Sequence, residues 1–176
     1  MPNFAGSMLQ RVQDDIKSGG KIAVIVVDEQ ASGVYDETYK QRQVLAFATA
    51  HKLPIFLVEL NPNPSQPTIP TTVHLRTLVP PGTTRLSKTG FNAFHGTELK
   101  ALLDKADVDT IVLMGFATNM CVRMTAVGGY TGRNNTGEHT LGATQLGLSV
   151  MTCQDILRGG PASWSGEVGV ELYSAV

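Results

Sequence analysis

The sequence predicts an α/β protein, a three-layer α/β/α sandwich built around a central, mostly parallel sheet. Three observations carry this reading. The runs Ile22-Ala-Val-Ile-Val-Val27 and Thr110-Ile-Val-Leu-Met114 are uninterrupted and rich in β-branched residues, which suits strands covered on both faces. Segments with apolar residues at helical spacing alternate with such runs, and Gly and Pro separate them. No domain boundary or repeat interrupts the pattern, so residues 1–176 are expected to form a single domain.

The elements follow in order. Ser7-x-x-Gln10 has the form of a capping box, Met8, Val12 and Ile16 recur every four residues, and Gly19-Gly20 supplies a stop, which predicts a short amphipathic helix. The Ile22 to Val27 strand ends at Asp28. Residues 36–52 carry Tyr39, Val44, Leu45, Phe47 and Ala48 in a helical pattern. Leu53-Pro-Ile-Phe-Leu-Val58 reads as a second strand, with its proline at the start, where it is tolerated. Four of the nine prolines fall between Pro62 and Pro70, which predicts an irregular loop. Thr97 to Ala106 reads as a helix, Thr110 to Met114 as a strand, and Cys121 to Val127 as the start of another helix. Beyond a Gly- and Asn-rich stretch, the expectation is helix over His139 to Leu146, strand over Leu148 to Thr152 and a closing helix over Glu167 to Ala175.

Composition narrows the function classes. With 14 Lys plus Arg against 15 Asp plus Glu, the net charge of -1 provides no field to gather nucleic acid or an anionic membrane. The longest apolar run is far shorter than a membrane span, and a signal-peptide pattern is not evident, so a cytoplasmic protein is expected. Two cysteines, Cys121 and Cys153, do not make a disulfide scaffold. Charged residues are 16% of the chain, against about 25% in an average soluble domain. A low-charge enzyme and a subunit that hides surface in an oligomer both fit.

Ligands of open α/β sheets bind at the carboxyl ends of the strands. Three reactive side chains fall there: Asp28 past the first strand, Lys88 in Leu86-Ser-Lys-Thr89, and Cys121 past the Thr110 to Met114 strand. Each alone has a bland reading, as a turn residue, a solvated lysine or a small buried hydrophobe. The context of Cys121 argues otherwise. Gly115-Phe-Ala-Thr-Asn-Met-Cys121-Val follows a strand and opens a helix, where unpaired N–H groups and the helix dipole lower a thiol pKa and can hold an oxyanion.

Asp28-Glu-Gln30, Lys88-x-x-Phe91-x-Ala93-Phe94 with Thr97-x-x-Leu, and Gly115-x-Ala117-Thr118-x-x-Cys121-Val122-x-x-Thr125-Ala126 together resemble the isochorismatase-like cysteine hydrolases, which include nicotinamidases, N-carbamoylsarcosine amidohydrolase and isochorismatases. The resemblance runs from about Ile22 to Ile156. It implies Cys121 as nucleophile, Asp28 as general base, Lys88 as the cation that orients Asp28, and an oxyanion hole from the N–H groups of Ala117 and Cys121. It further implies a cis peptide between Phe116 and Ala117, and a small-molecule substrate held by Gln30, Phe91, Phe116 and Asn119. Because members of this family form dimers, tetramers or larger rings, it favours a homo-oligomer as the reason for the low charge.

The sequence also departs from that pattern. Nicotinamidases of the family hold a divalent metal through an Asp-x-His pair and a later His, whereas this chain reads Glu59-Leu-Asn61 with His74 beyond the proline loop. Neither metal nor another cofactor is therefore expected. The stretch Gly128 to Gly147 is longer and more polar than the family's single helix and reads as a lid, a subunit contact or a solvated loop. Gly128-Gly-x-x-Gly132 follows a helix and is not a dinucleotide fingerprint. His51, His74, His95 and His139 read as structural, with His95 the best placed for a pocket beside Phe91 and Phe94. Trp164 suits an interface or a pocket wall, and Cys153 inert core. The activity implied is metal-independent hydrolysis of a small amide or other C–N bond through a Cys121 thioester. Vinyl ether hydrolysis of the isochorismatase type and a non-catalytic binding subunit of the same fold are the alternatives.

Overall fold

The computed structural model describes residues 3–30, 38–164 and 166–174. Strand β1 (Ile22–Val27) is buried along its whole length, and its alternate side chains feed two separate apolar clusters. Ala23, Ile25 and Val27 pack with Leu99 and Leu103 of α4 (Leu99–Lys105) and Ala126 of α5 (Arg123–Val127). Ile22, Val24 and Val26 pack with Met8 and Val12 of α1 (Phe4–Lys17) and with Val44, Leu45 and Ala48 of α2 (Tyr39–Ala50). Helices thus cover both faces of the sheet, as the unbroken strand runs require. Burial of each large aliphatic side chain contributes about 1.5–3 kcal/mol.

The remaining strands are β2 (Ile55–Leu60), β3 (Thr84–Lys88), β4 (Thr110–Phe116), β5 (Gly129–Tyr130), β6 (His139–Thr140), β7 (Ser149–Cys153), β8 (Leu157–Arg158) and β9 (Val170–Tyr173). One more short helix, α3 (Val73–Arg76), follows the proline loop. The main sheet runs β3-β2-β1-β4-β7-β9, entirely parallel, and β8 continues beside the end of β4. After β1 the chain builds outwards to β3, then returns to place β4 on the other side of β1. The switch in direction lies between β1 and β4, so their carboxyl ends flank a crevice. Among the described residues, no helix is long and apolar enough to cross a membrane.

Several sequence expectations need correction. α1 begins at Phe4, where the Asn3 side chain accepts the Gly6 N–H at 3.1 Å; Ser7 lies inside the helix. Of the helix expected over 36–52, residues 36–37 lie outside the described residues, and the helix itself runs from Tyr39. β3 had no strand signal, because Thr-Arg-Leu-Ser-Lys offers only one large apolar residue and sits at the sheet edge. The stretch expected to be helical from His139 instead begins with β6, antiparallel to β5, and only Thr144–Leu146 form a helical turn. The closing helix is instead β9: Val170 and Leu172 alternate onto the α4 and α5 side of the sheet, and Gly166 and Gly169, both at positive φ, stop a helix from passing through. Ala175 lies outside the described residues.

At the switch point, Gly115 of β4 has φ 139°, and a Cβ there would lie 2.0 Å from the carbonyl oxygen of Val27. Glycine alone lets the two strand ends close. Gly115→Ala is expected to destabilise the fold by about 3 kcal/mol or more, or to prevent folding, as read by chemical denaturation.

Candidate active site

The switch point between β1 and β4 brings together Asp28, from the end of β1, and the Cys121 turn, which follows β4. Asp28 leaves β1 with φ 56°, a left-handed conformation that Asp tolerates better than most residues. Lys88 is the last residue of β3, two strands from β1, and its long stem brings the ammonium over the end of β2. There Nζ donates to Asp28 Oδ2 at 2.8 Å and to the Gly90 carbonyl at 2.9 Å. The Lys88 side chain is 0% exposed and that of Asp28 6%. Lys88 is thus the opposite of a solvated surface lysine.

Cys121 sits in a π-helical turn, Thr118–Val122, that leads directly into α5. The Ala117 carbonyl accepts the N–H groups of Met120 and Val122, on either side of Cys121 in sequence. The peptide between Phe116 and Ala117 is cis. The Cys121 sulfur is buried against Asp28, Lys88 and the Ala117 N–H, and Asp28 Oδ1, the carboxylate oxygen not bound to Lys88, is buried without a well-formed hydrogen bond.

The electrostatics differ from the sequence expectation of a lowered thiol pKa. Burial pushes the Cys121 thiol up to about 12; the Asp28 carboxylate adds to the push, while Lys88 and the Ala117 N–H oppose it. Burial also raises Asp28 above its usual value, against the downward pull of Lys88 and Cys121. Burial thus disfavours the ionised sulfur that a strand-to-helix turn alone would favour. Cys153 is buried in the opposite apolar cluster, and burial likewise raises its pKa to about 12.

The four residues expected to hold substrate separate into two kinds. Phe91 and Phe116 are 39% and 44% exposed, so each offers ring surface. The Gln30 amide is occupied: Nε2 donates to the carbonyls of Leu60 and Ile69, and Oε1 accepts the Leu60 N–H. It clamps the segment after β2. Asn119 accepts from the N–H and hydroxyl of Ser163 and donates to the Pro161 carbonyl, which fastens the C-terminal loop to the Cys121 turn.

The structure adds supports that sequence reasoning missed. Trp164 is buried in the core, and its indole N–H donates to the Thr118 carbonyl at 3.0 Å, so it buttresses the Cys121 turn rather than forming an interface. Glu29, 0% exposed, binds Arg158 at 2.6 Å and Gln41 at 2.7 Å. The Arg158 guanidinium also lies 5.4 Å from the Phe116 ring, joining the segment that carries Asp28 to the one that carries Ala117. An acidic residue next to Asp28 was the only sequence signal for this, because its partner is 129 positions away.

The residues at the family's metal position do not fit a metal ion. Both Glu59 oxygens are taken by Arg85, at 3.1 and 2.7 Å, and Oε1 also accepts from the N–H and hydroxyl of Thr71. Asn61 is bonded within its own loop to Gln66, Thr68 and Asn63. Among the described residues, no group of three or more His, Cys, Asp or Glu is placed to hold a metal.

The isochorismatase domain model matches residues 23–131. No curated protein sequence matches the chain significantly. Among solved structures, the N-carbamoylsarcosine amidase from Thermoplasma acidophilum is 18% identical with a TM-score of 0.64, over 86% of this chain and 95% of that one. The pyrazinamidase of Pyrococcus horikoshii, solved in complex with zinc, is 18% identical with a TM-score of 0.64, over 86% and 98%. The nicotinamidase from Staphylococcus aureus is 15% identical with a TM-score of 0.62, over 89% and 99%. At these identities the structures share the fold, and the domain model supplies the sequence match over more than half of the 176 residues; the chain belongs to the isochorismatase family.

Proposed function

We propose that this protein is a metal-independent cysteine hydrolase that cleaves a small amide or related C–N bond through a thioester on Cys121. The observation that carries the reading is the buried meeting of Asp28, Lys88 and Cys121 at the switch point of the sheet. The amidases among the structural neighbours are consistent with it.

An amide carbonyl is a weak electrophile and its nitrogen a poor leaving group. As the Cys121 sulfur attacks the carbonyl carbon, its proton passes to Asp28, whose ionised form is held by Lys88. The negative oxygen of the tetrahedral intermediate rests on the N–H groups of Ala117 and Cys121. Asp28 then returns the proton to the nitrogen, the C–N bond breaks and the amine or ammonia leaves. Water attacks the thioester with Asp28 again taking a proton, and rupture of the C–S bond releases the acid and restores the thiol. A protonated resting thiol beside a paired carboxylate suits this sequence, because the base and its proton source already face each other.

Three outcomes test the reading. Cys121→Ala should lower turnover of a small-amide substrate by about 10⁴-fold or more while leaving the fold intact, and the wild type should show an acyl adduct on Cys121 by mass spectrometry; full activity in the variant contradicts the mechanism. The acid limb of kcat/KM should lie above the ordinary aspartate range, since the raised Asp28 must lose its proton to act as base. Asp28→Asn should cost about 100-fold or more and remove that limb. Lys88→Met should destabilise the protein by about 3 kcal/mol, because it strands a buried carboxylate, and adding Asp28→Asn should recover most of the loss in the same denaturation assay.

A further inference from the structure

The segment 128–142 is a hairpin spliced into a helix. α5 stops at Val127, the chain leaves through Gly128, and β5 and β6 pair before it returns at Ala143. The Ala143 N–H then donates to the Thr125 carbonyl at 2.8 Å, the bond that residue 129 of an unbroken helix would make. Exit and return points touch: a Cβ on Gly142 would lie 2.1 Å from the Gly128 nitrogen, and a Cβ on Gly128 would lie 2.6 Å from the Thr140 carbonyl oxygen. The helix that follows the nucleophile is thus interrupted, and its path is taken up again for one short helical turn, Thr144–Leu146, which leaves the hairpin free to serve another purpose.

Its contacts show where it acts. Asn92, 1% exposed, uses its amide nitrogen to bind the Thr140 hydroxyl at 3.0 Å and the Leu141 carbonyl at 2.9 Å, while its amide oxygen accepts the Phe94 N–H. Asn92 stands two residues after Gly90, whose carbonyl holds the Lys88 ammonium. The next N–H, of Ala93, donates to the Thr125 hydroxyl, which in turn donates to the Cys121 carbonyl at 2.7 Å. One short segment, 90–93, therefore touches the lysine and the hairpin and reaches the Cys121 carbonyl through Thr125. A cavity of about 210 Å³ is lined by Phe91, Asn92, Met124, Thr131 and Thr140. Beside it, the Asn92 bonds join the segment after β3 to the hairpin. The exposed contact of His95 with Glu138, 3.8 Å apart, adds little.

We propose that the 128–142 hairpin is a brace, acting through Asn92, that positions Lys88 and Cys121 and thereby sets the reactivity of the thiol. Asn92 and Thr140 are positioning residues; neither is assigned a contact with the reacting atoms. The proposal rests on Cys121 being the nucleophile. It predicts that when segment 90–93 loosens, the ammonium is left to its Asp28 bond alone, and the sulfur loses the fixed placement of the cation that favours its charged form.

The test is the rate of Cys121 alkylation by iodoacetamide across the rising part of its pH profile, with the modified site located by mass spectrometry and buried Cys153 as an internal control. Thr140→Val keeps the shape of the side chain, removes one of the two acceptors of the Asn92 amide together with the hydroxyl's bond to the Gly129 carbonyl, and leaves His95 and Glu138 in place. Its alkylation should be about tenfold slower at each pH, equivalent to a shift of about one pH unit, with Thr140→Ser within about twofold of wild type. Replacing 128–142 by a single alanine makes Ala143 the residue four beyond Thr125 and should leave a continuous helix; checked for folding by circular dichroism, this variant should lose at least as much reactivity as Thr140→Val. A wild-type profile in Thr140→Val, or in the folded hairpin-less protein, overturns the brace. If the shortened chain does not fold, the Val and Ser pair at position 140 decides. A failure of the underlying reading looks different: wild-type Cys121 is then unreactive, or its alkylation leaves hydrolysis intact, and the brace falls with it.

Discussion

The structure turns on one buried ion pair. Lys88 has no exposed side-chain surface, and an isolated charge in that position costs several kcal/mol of lost hydration. Asp28 and the Gly90 carbonyl supply the compensation, so the ends of β1 and β3 and the segment after β3 must be held in fixed relation. The sheet order makes that possible. Closure of β4 against β1 at Gly115 brings the Cys121 turn to the same point. Around this pair, the surrounding polar contacts fasten segments rather than face solvent: Gln30 ties down the chain after β2, Asn119 and Trp164 hold the Cys121 turn, and Glu29 with Arg158 joins the two segments that border the crevice.

Burial has a chemical consequence. Burial, which in the proposed reaction strengthens the hold on a developing oxyanion, also raises the thiol pKa and so disfavours a standing thiolate. The proposed chemistry therefore transfers the proton during attack, and Lys88 keeps the receiving carboxylate ionised. The hairpin fits the same need. In the proposed reaction a base, a cation and a sulfur have to be held to within a few tenths of an ångström, and a 90–93 segment fixed at only one end would not do so.

Much of this was legible in the sequence where chemistry and hydrophobic patterning coincide. The runs Ile22 to Val27 and Thr110 to Met114 read directly as buried strands, and the sheet rule then pointed to Asp28, Lys88 and Cys121, which the structure brings together. What escaped depended on contacts distant in sequence or on local turns. β9 was read as a helix because Val-Glu-Leu-Tyr is too short to reveal its alternation without its partner β7. Gln30 and Asn119 looked like ligand-binding amides, yet their partners are backbone groups 30 to 44 positions away. The thiol was expected to ionise because a strand-to-helix turn is visible in sequence, whereas the desolvation that opposes it belongs to the assembled core.

The central claim is that the resting nucleophile is a thiol beside a lysine-paired carboxylate. The most direct measurement is the ultraviolet absorbance of thiolate as a function of pH, taken as the difference between wild type and Cys121→Ala so that Cys153 and the tyrosines cancel. The account predicts no thiolate step near neutral pH, with absorbance rising only in the strongly alkaline range and earlier loss of the Asp28 proton leaving it unchanged. A full thiolate step below pH of about 8, the range of thiols activated by a helix terminus or a neighbouring cation, contradicts it.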